Sequence, residues 1–370
     1  MAGIYVHIPF CKSRCIYCGF FSTTTLQKRG QYVNALCDEL QRRKSFLHGK
    51  PIETIYFGGG TPSLLAVADV EKVLRHIYNI YNVHENAEIT LEGNPDDLSP
   101  NHLKALYSIG INRLSIGVQT FSDARLKLLN RRHTAIQAIQ AIENAQQAGF
   151  SNISIDLMFG FPTQTLPEWE QDVQQALSLG VQHLSAYSLM YEEGTRLEQM
   201  LDTGEIEEID EEASLRMYEH LIDATTQAGF KHYEISNFAL PRMQSRHNSN
   251  YWHSVPYLGV GAGAHSYDGH DRCFNLDSLD DYLAGSTPVF EHLVEAERYD
   301  EFVFTGLRTS SGINLSELEK RFGSTYKDYC LANASKHIST GCLIHADGII
   351  KLSRKGLFIS NDVMSDLMWA

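Results

Sequence analysis

Three cysteines in the run IPFCKSRCIYCGFF, Cys11, Cys15 and Cys18, have a C-x3-C-x2-C spacing that sets three thiolates on one short loop. Three thiolates can hold three irons of a [4Fe-4S] cluster and leave the fourth iron without a protein ligand. An open iron chelates a small molecule. At this spacing the expected partner is S-adenosylmethionine, bound through its amino and carboxylate groups with its sulfonium beside the cluster. One electron from the cluster then cleaves a carbon-sulfur bond and releases a 5'-deoxyadenosyl radical, chemistry that the cofactor carries and the protein positions. A structural zinc site is the other reading of clustered cysteines. It prefers closed sets such as paired C-x2-C, and no second pair occurs here. Cys37, Cys273, Cys330 and Cys342 are scattered and read as packed or surface thiols.

The elements that must position this loop are legible around it. GIYVHIPF alternates Ile4, Val6 and Ile8 with Tyr5 and His7, the period of a strand, and Pro9 stops the ladder. The cysteine loop therefore begins at a strand's C-terminal end, where α/β folds bind ligands. One unit later, TIYFGGGTPSLL brings Gly58, Gly59 and Gly60, which let backbone approach a ligand more closely than any Cβ would permit. Pro62 suits the start of a helix. The segment lacks both the Gly-Lys-Ser/Thr of a P-loop and the G-x-G-x-x-G of a dinucleotide site. Its place beside the cysteine loop makes it a candidate cradle for the methionyl group of S-adenosylmethionine.

From residue 1 to about 240 one unit repeats: an apolar run, a polar or Gly-rich loop, then a helical stretch. The runs are IYVHI, TIYFG, EITLEG, RLSIGVQ, ISIDLMFG and HLSAYSLM, with a further strand expected at HYEIS. Helical patterns intervene in VADVEKVLRHIYNIY and in HTAIQAIQAIENAQQAG, where Ile136, Ile139 and Ile142 recur at helical spacing. Gly110, Gly149, Gly180 and Gly229 read as residues that end one helix before the next strand. Alternating βα units imply a parallel sheet with helical crossovers. Six units fall short of the eight a closed barrel needs, so an open, partial (β/α)6 barrel is expected over residues 1–290. From about residue 291 to 370, three helical stretches and two strands across the Asp347-Gly348 turn predict a small winged-helix-like α+β module.

Composition narrows the class. A formal charge of −14 opposes non-specific nucleic-acid binding, and from Asp300 onward eight acidic residues balance eight basic ones, a poor phosphate reader. The block EEIDEE at Glu207 to Glu212 reads as a solvated face or a helix start. A mean hydropathy of −0.25 describes a soluble chain. The start of the chain carries no export signal, and no apolar run approaches the ~18 residues of a membrane span. Seven cysteines, an odd number with three packed together, read as reduced thiols of the cytoplasm.

The cysteine triplet with GGGTP resembles the radical S-adenosylmethionine superfamily. YVHIPFC, YFGGGTPS, GVQTF, NRRHT and DLMFGFPTQT narrow the resemblance to its coproporphyrinogen dehydrogenase-like branch, over nearly the whole chain. It implies that Tyr5, Gly59, Gly60, Thr61 and Glu92 line the cofactor on the cluster. It also implies that Tyr17, Gln119, Arg131 and Asp156 join the same cavity, where some members hold a second cofactor molecule. Glu92, Gln119 and Asp156 are expected at or just past strand C-termini, where polar groups can bind ribose hydroxyls, an ammonium or a carboxylate.

Two departures separate subfamilies. Coproporphyrinogen dehydrogenases carry a further cysteine two residues after the third cluster cysteine and a long N-terminal covering segment. Here that position is Phe20, and ten residues precede Cys11. The chain is thus similar to the HemW-like haem chaperones. RHNSNYWHSVPYLGVGAGAHSY matches their H-N-x-x-Y-W signature at His247, Asn248, Tyr251 and Trp252. An imidazole can ligate haem iron, aromatic faces can pack on a porphyrin, and Gly259 to Gly263 would allow close approach. His247 is the candidate haem ligand, with His253 and His265 in reserve. The resemblance implies a cytoplasmic haem chaperone that holds a [4Fe-4S] cluster, S-adenosylmethionine and haem, and hands haem to an acceptor protein. Its rivals are oxidative decarboxylation of coproporphyrinogen III and radical chemistry on another tetrapyrrole.

Overall fold

The alternation in GIYVHIPF forms strand β1 (Ala2–Ile8). The same device recurs in β2 (Ile52–Gly59), β3 (Val83–Gly93), β4 (Arg113–Gln119), β5 (Ile153–Phe159) and β6 (His183–Ser188). In the computed structural model, which describes residues 1–369, these strands lie side by side in chain order and every neighbouring pair is parallel. One row of side chains, with Ile4, Val6, Ile8, Phe57 and Ile155 among them, is fully buried in a core shared with the crossover helices. The opposite row is polar. Register sets Tyr5 beside Tyr56, Tyr56 beside Thr90 and Thr90 beside Arg113. One pleat higher, Glu92 sits beside Ser115, and Gly117 beside Asp156. The barrel's inner face is therefore built for a ligand more than for packing.

Both edges of the six are extended. β7 (Lys231–Glu234) and β8 (Asn237–Ala239) add antiparallel strands beyond β6. β9 (Tyr257–Val260) runs parallel to β1, followed by antiparallel β10 (His265–Tyr267), β11 (Arg272–Phe274) and β12 (Val289–Glu291). The result is a twelve-stranded sheet whose ends, β12 and β7, do not meet. An open barrel was expected; the seventh parallel strand, β9, was not. It arises from the Gly-rich stretch Gly259 to Gly263, where packing itself requires glycine. A Cβ on Gly259 would lie 1.9 Å from the His265 carbonyl oxygen, and one on Gly261, at φ +106°, would lie 2.6 Å from the His7 carbonyl oxygen.

The helix-ending glycines behave as expected: Gly110, Gly149, Gly180 and Gly229 have φ of +99°, +104°, +66° and +86°. EEIDEE leads into the helix Glu211–Gln227, whose N-cap Asp210 accepts from the Ala213 amide. In the helix Ala135–Gln147 the buried face is Ala138, Ala141, Ile142 and Ala145, so the isoleucine periodicity misplaced it. Small residues face the sheet there because helix and strands approach closely, and Ile136 is left 66% exposed.

The C-terminal part has its own core around Tyr299, Val303, Leu318, Ile350 and Val363. Helices Glu295–Arg308, Leu315–Phe322 and Ser324–Ser339 pack with a three-stranded sheet of β13 (Ile313–Asn314), β14 (Leu343–Ala346) and β15 (Ile349–Leu352). Asp347 and Gly348 both take positive φ, +51° and +74°, as a two-residue hairpin of this twist requires. Beyond the three helical stretches expected, GLFIS runs through two further helices, Arg354–Phe358 and Ser360–Leu367. Arg308 fastens this part to the barrel: its Nη2 donates to the buried Glu234 at 2.6 Å, and its guanidinium lies 4.9 Å over the Trp252 ring. Among the described residues no helix is long and apolar enough to cross a membrane.

Replacing Ile142 with alanine is expected to lower unfolding free energy by about 2–5 kcal/mol, as for other buried aliphatic truncations. Ile136→Ala is expected to stay within about 0.5 kcal/mol. Denaturant melts of the two variants check which face is buried.

Candidate functional site

The cysteine loop leaves β1 at Pro9 and is closed at its neck by two backbone bonds, Cys11 N to Thr23 O at 2.9 Å and Thr23 N to Pro9 O at 2.7 Å. Its middle is tied to a distant segment: Ile16 N donates to Leu129 O at 3.3 Å, and Asn130 Nδ2 donates to Arg14 O at 2.8 Å. Held so, Cys11, Cys15 and Cys18 all face one cavity of about 380 Å³, within the ~300–1000 Å³ typical of small-molecule sites. The other four cysteines are buried and outside the cavity lining. Among the described residues no three His, Cys, Asp or Glu converge on a single metal ion. Three soft thiolates around a cavity, with no fourth cysteine beside them, match the donor set of a cluster with one open iron.

The glycine loop abuts this neck. A Cβ on Gly60 would lie 2.8 Å from the Pro9 carbonyl carbon and 3.0 Å from Cys11 Sγ. A Cβ on Gly59, at φ +109°, would lie 2.5 Å from the His7 ring. These glycines are needed so that the end of β2 can press on the cysteine loop, while Gly59, Gly60 and Thr61 still line the cavity. Thr61 Oγ1 donates to Cys11 Sγ at 3.5 Å. Pro62 opens only a short 3-10 turn, Pro62–Leu64, and the α-helix begins at Val67.

Across the cavity, Glu92 accepts from Tyr56 OH at 2.7 Å and from the Gly59 amide at 3.1 Å. Burial raises its pKa to about 7, with Asp156 adding to the rise. Burial likewise raises Asp156 to about 6 against the pull of Ser185 and Arg113. Arg113, 1% exposed on the polar row, is a buried cation near both carboxylates. Burial also raises the thiols of Cys11 and Cys18, so ligation there must displace protons. Arg131 Nη2 donates to Asn94 Oδ1 at 2.8 Å and to Gly117 O at 2.5 Å, and Nη1 donates to Cys15 Sγ at 3.5 Å.

Eight of the nine residues that the resemblance assigned to cofactor binding line this cavity: Tyr17, Gly59, Gly60, Thr61, Glu92, Gln119, Arg131 and Asp156. Glu92 and Gln119 end their strands as expected, and Gln119 takes φ +70° at a bulge. Asp156 instead sits in mid-strand. Tyr5 lies outside the lining, because register pairs it with Tyr56 one pleat below the glycines. Its hydroxyl meets His7 Nδ1 at 3.0 Å, and His7 Nε2 meets the Phe21 carbonyl at 3.1 Å. Sequence reading missed Asn94, Ser115, Gly117, Met158, Tyr187 and Met190. Alternation of Ser115 and Gly117 along β4 was the available signal.

His247, the candidate haem ligand, is buried at the start of the H-N-x-x-Y-W segment. It is 2% exposed, its Nδ1 lies 2.8 Å from Thr54 Oγ1, and its Nε2 lies 2.8 Å from Tyr251 OH. Its ring stacks 5.0 Å from that of Tyr56. Both nitrogens are committed and the ring is sealed, so the H-N-x-x-Y-W segment here braces the inner face of β1 and β2.

Comparison with known proteins follows this geometry. Residues 5–176 match the radical SAM superfamily and residues 293–359 match the HemN C-terminal domain. The protein named heme chaperone HemW from Lactococcus lactis is 35% identical over 369 residues, covering 98% of this chain and 96% of its own. Its namesake from Bacillus subtilis is 35% identical over 372 residues, covering 98% of each. The chain belongs to the HemW family. Its fold is also that of HemN, the coproporphyrinogen III oxidase of Escherichia coli, with a TM-score of 0.86, 22% identity and coverage of 99% of this chain and 90% of that one. Radical SAM membership of the HemW chain implies a [4Fe-4S] cluster and S-adenosylmethionine.

Single replacement of Cys11, Cys15 or Cys18 by alanine should abolish the visible absorption of the reconstituted cluster, while Cys37→Ala and Cys330→Ala retain it. A second expectation concerns pH. An acid whose folded pKa is raised favours the protonated folded state, so its support is present at low pH. That support is lost as pH rises from the ordinary range, about 4.3, through the folded value of about 7. Thermal unfolding of the cofactor-free protein should therefore shift to lower temperature across that window. Glu92→Gln should flatten the profile and melt above wild type at its upper end.

Proposed function

We propose that this chain is a haem chaperone: it binds haem and passes it to an acceptor protein, with a [4Fe-4S] cluster and S-adenosylmethionine as resident cofactors. The observation that carries the reading is identity of 35% along almost the whole chain to proteins named heme chaperone HemW. Phe20 supports it, since coproporphyrinogen dehydrogenases resemble this chain but place a cysteine there. We place the protein in the cytosol, where thiols stay reduced.

In this reading Cys11, Cys15 and Cys18 hold the cluster. Gly59, Gly60 and Thr61 border the methionyl end of the nucleoside. Glu92, partly protonated and fixed by Tyr56 and Gly59, would offer a carboxylate to cationic groups of the cofactor. Gln119 and Asp156 meet polar groups deeper in the cavity, and Tyr17 and Arg131 close it behind Cys15. The cluster, when bound, supplies an electron that can cleave S-adenosylmethionine. The chain's own contribution is a walled, polar cavity that orients the nucleoside beside the thiolates.

One observation favours a second reading, radical chemistry on a tetrapyrrole. Phe20, Tyr187 and Met190 form the cavity mouth and are 72%, 39% and 59% exposed, an apolar lip suited to a flat hydrophobic substrate. Anaerobic assays of the reconstituted protein separate the two. Haem transfer to an apo-acceptor without protoporphyrinogen formation from coproporphyrinogen III is expected; stoichiometric decarboxylation would replace the chaperone reading with the enzyme one.

A further inference from the structure

Asn94 lines the cavity without having a place in the sequence expectation. It stands one residue past the end of β3, and Pro95 after it disfavours a helical backbone there. Asn94 is accordingly extended, with φ −90° and ψ 143°. Alternation then carries the side chains of Glu92 and Asn94 to the same side, into the cavity. Between them Gly93 faces the other way, where a Cβ would lie 3.0 Å from Leu98. The backbone of Asn94 is fixed as well: its N donates to Ser63 Oγ at 3.3 Å, and its O accepts from Asp97 N at 3.0 Å.

Both ends of the Asn94 side chain are engaged. Oδ1 accepts from Arg131 Nη2 at 2.8 Å, and Nδ2 donates to Thr61 Oγ1 at 3.3 Å. A guanidinium only donates, so it fixes which end of the amide faces it. Thr61 accepts from Asn94 and keeps its own proton to give, and that proton goes to Cys11 Sγ at 3.5 Å. On the other branch Arg131 Nη1 donates to Cys15 Sγ at 3.5 Å, while Nη2 also donates to Gly117 O at 2.5 Å. Hydrogen bonds therefore run from one amide to two of the three cavity cysteines. Cys18 takes a backbone bond from Phe20 instead. Thr61 follows β2 and Arg131 follows the helix Asp123–Leu128, so Asn94 is the link that ties these separate segments together over the thiols.

Reducing a cluster adds one negative charge to it. Donors to its sulfurs and a nearby cation stabilise that charge, so they raise the reduction potential. A donor held in place by a further partner does this more fully than one free to rotate away.

We propose that Asn94 is a positioning residue that sets the reduction potential of the cluster, by holding Thr61 against Cys11 and Arg131 against Cys15. The proposal rests on ligation of a [4Fe-4S] cluster by the three cysteines and adds the outer residue that governs how readily that cluster accepts an electron. Asn94 acts through its two neighbours, since both ends of its amide are taken.

The test is a potentiometric titration of the reconstituted full-length protein without S-adenosylmethionine, the reduced cluster being counted by electron paramagnetic resonance. At a fixed potential Asn94→Ala should lower the ratio of reduced to oxidised cluster about tenfold, which for one electron is a shift of about 59 mV to lower potential. Arg131→Met should lower it at least as far by losing donor and cation together. Arg131→Lys should fall between that variant and wild type, because the charge stays and the planar fork is lost. Asn94→Ala added to Arg131→Met should change the potential less than it does alone, the mark of residues acting in one network. Thr61→Val should shift the potential in the same direction, and it carries the test if Asn94→Ala fails to fold. Wild-type potentials in Asn94→Ala and Thr61→Val at full iron content would overturn the proposal. So would weaker S-adenosylmethionine binding by Asn94→Ala at an unchanged potential, which would assign the side chain to the cofactor. A wild type that takes up no cluster would overturn the cluster assignment itself, and the proposal with it.

Discussion

The close approach of β1 and β2 at their C-terminal ends is the constraint on which the rest of the site depends. The cysteine loop must fold back over Pro9 and meet the glycine loop with no side chain between them. Gly60 N donates to Ile8 O at 2.8 Å, and Cys11 and Thr23 close the loop's neck. A Cβ at Gly60 would push one loop off the other, and one at Gly59 would strike the His7 ring on β1. Loops of this kind lack regular pairing and are normally mobile; here backbone bonds to Thr23, Leu129 and Leu197 fix the loop from three directions. Preorganised thiolates follow from that, since a site held by packing does not have to find its geometry when the metal arrives.

Beneath this junction the barrel departs from an ordinary core. A row of buried Tyr56, Thr90, Arg113 and His183 with half-buried Tyr5, Glu92 and Asp156 replaces the apolar layers that fill closed barrels. Burying carboxylates without full compensation is costly, and the raised pKa values of Glu92 and Asp156 record that cost. The H-N-x-x-Y-W segment takes part from below: Tyr5 lies between it and His7, and His7 reaches the Phe21 carbonyl in the cysteine loop. Rings in contact thus run from Tyr251 to the loop that carries the cluster cysteines.

The C-terminal part is joined to the barrel by a few strong contacts. Arg308 pairs with Glu234, whose side chain is fully buried, and Arg354 Nη2 meets Asp223 Oδ2 at 2.9 Å on the exterior. Charged anchors of this sort fix orientation more than they add stability. The neutral charge balance expected from sequence is met inside the chain, for example by Lys327 with Glu319 at 2.7 Å.

The sequence by itself determined the six parallel strands, because period-two alternation of Ile, Val and Leu with polar residues has one burial-consistent reading. It also determined the helix-ending glycines and the grouping of three cysteines on one loop, since φ sign and thiolate spacing are local properties. Eight of the nine residues that the family resemblance assigned to cofactor binding line one cavity. Tyr5 lies one pleat below that lining, its ring against Gly58, and this placement follows from register, which is not local. The helix Ala135–Gln147 faced inward with alanines because the strands left little room, which no periodicity records. Only the tertiary structure decided the fates of the histidines. Residues 257–267 come back to pair with β1, which seals His247 between Thr54 and Tyr251 and leaves His265 on an open face. A histidine's chemistry is set by which nitrogens its neighbours occupy, and one of those neighbours, Thr54, lies 193 residues away in the chain.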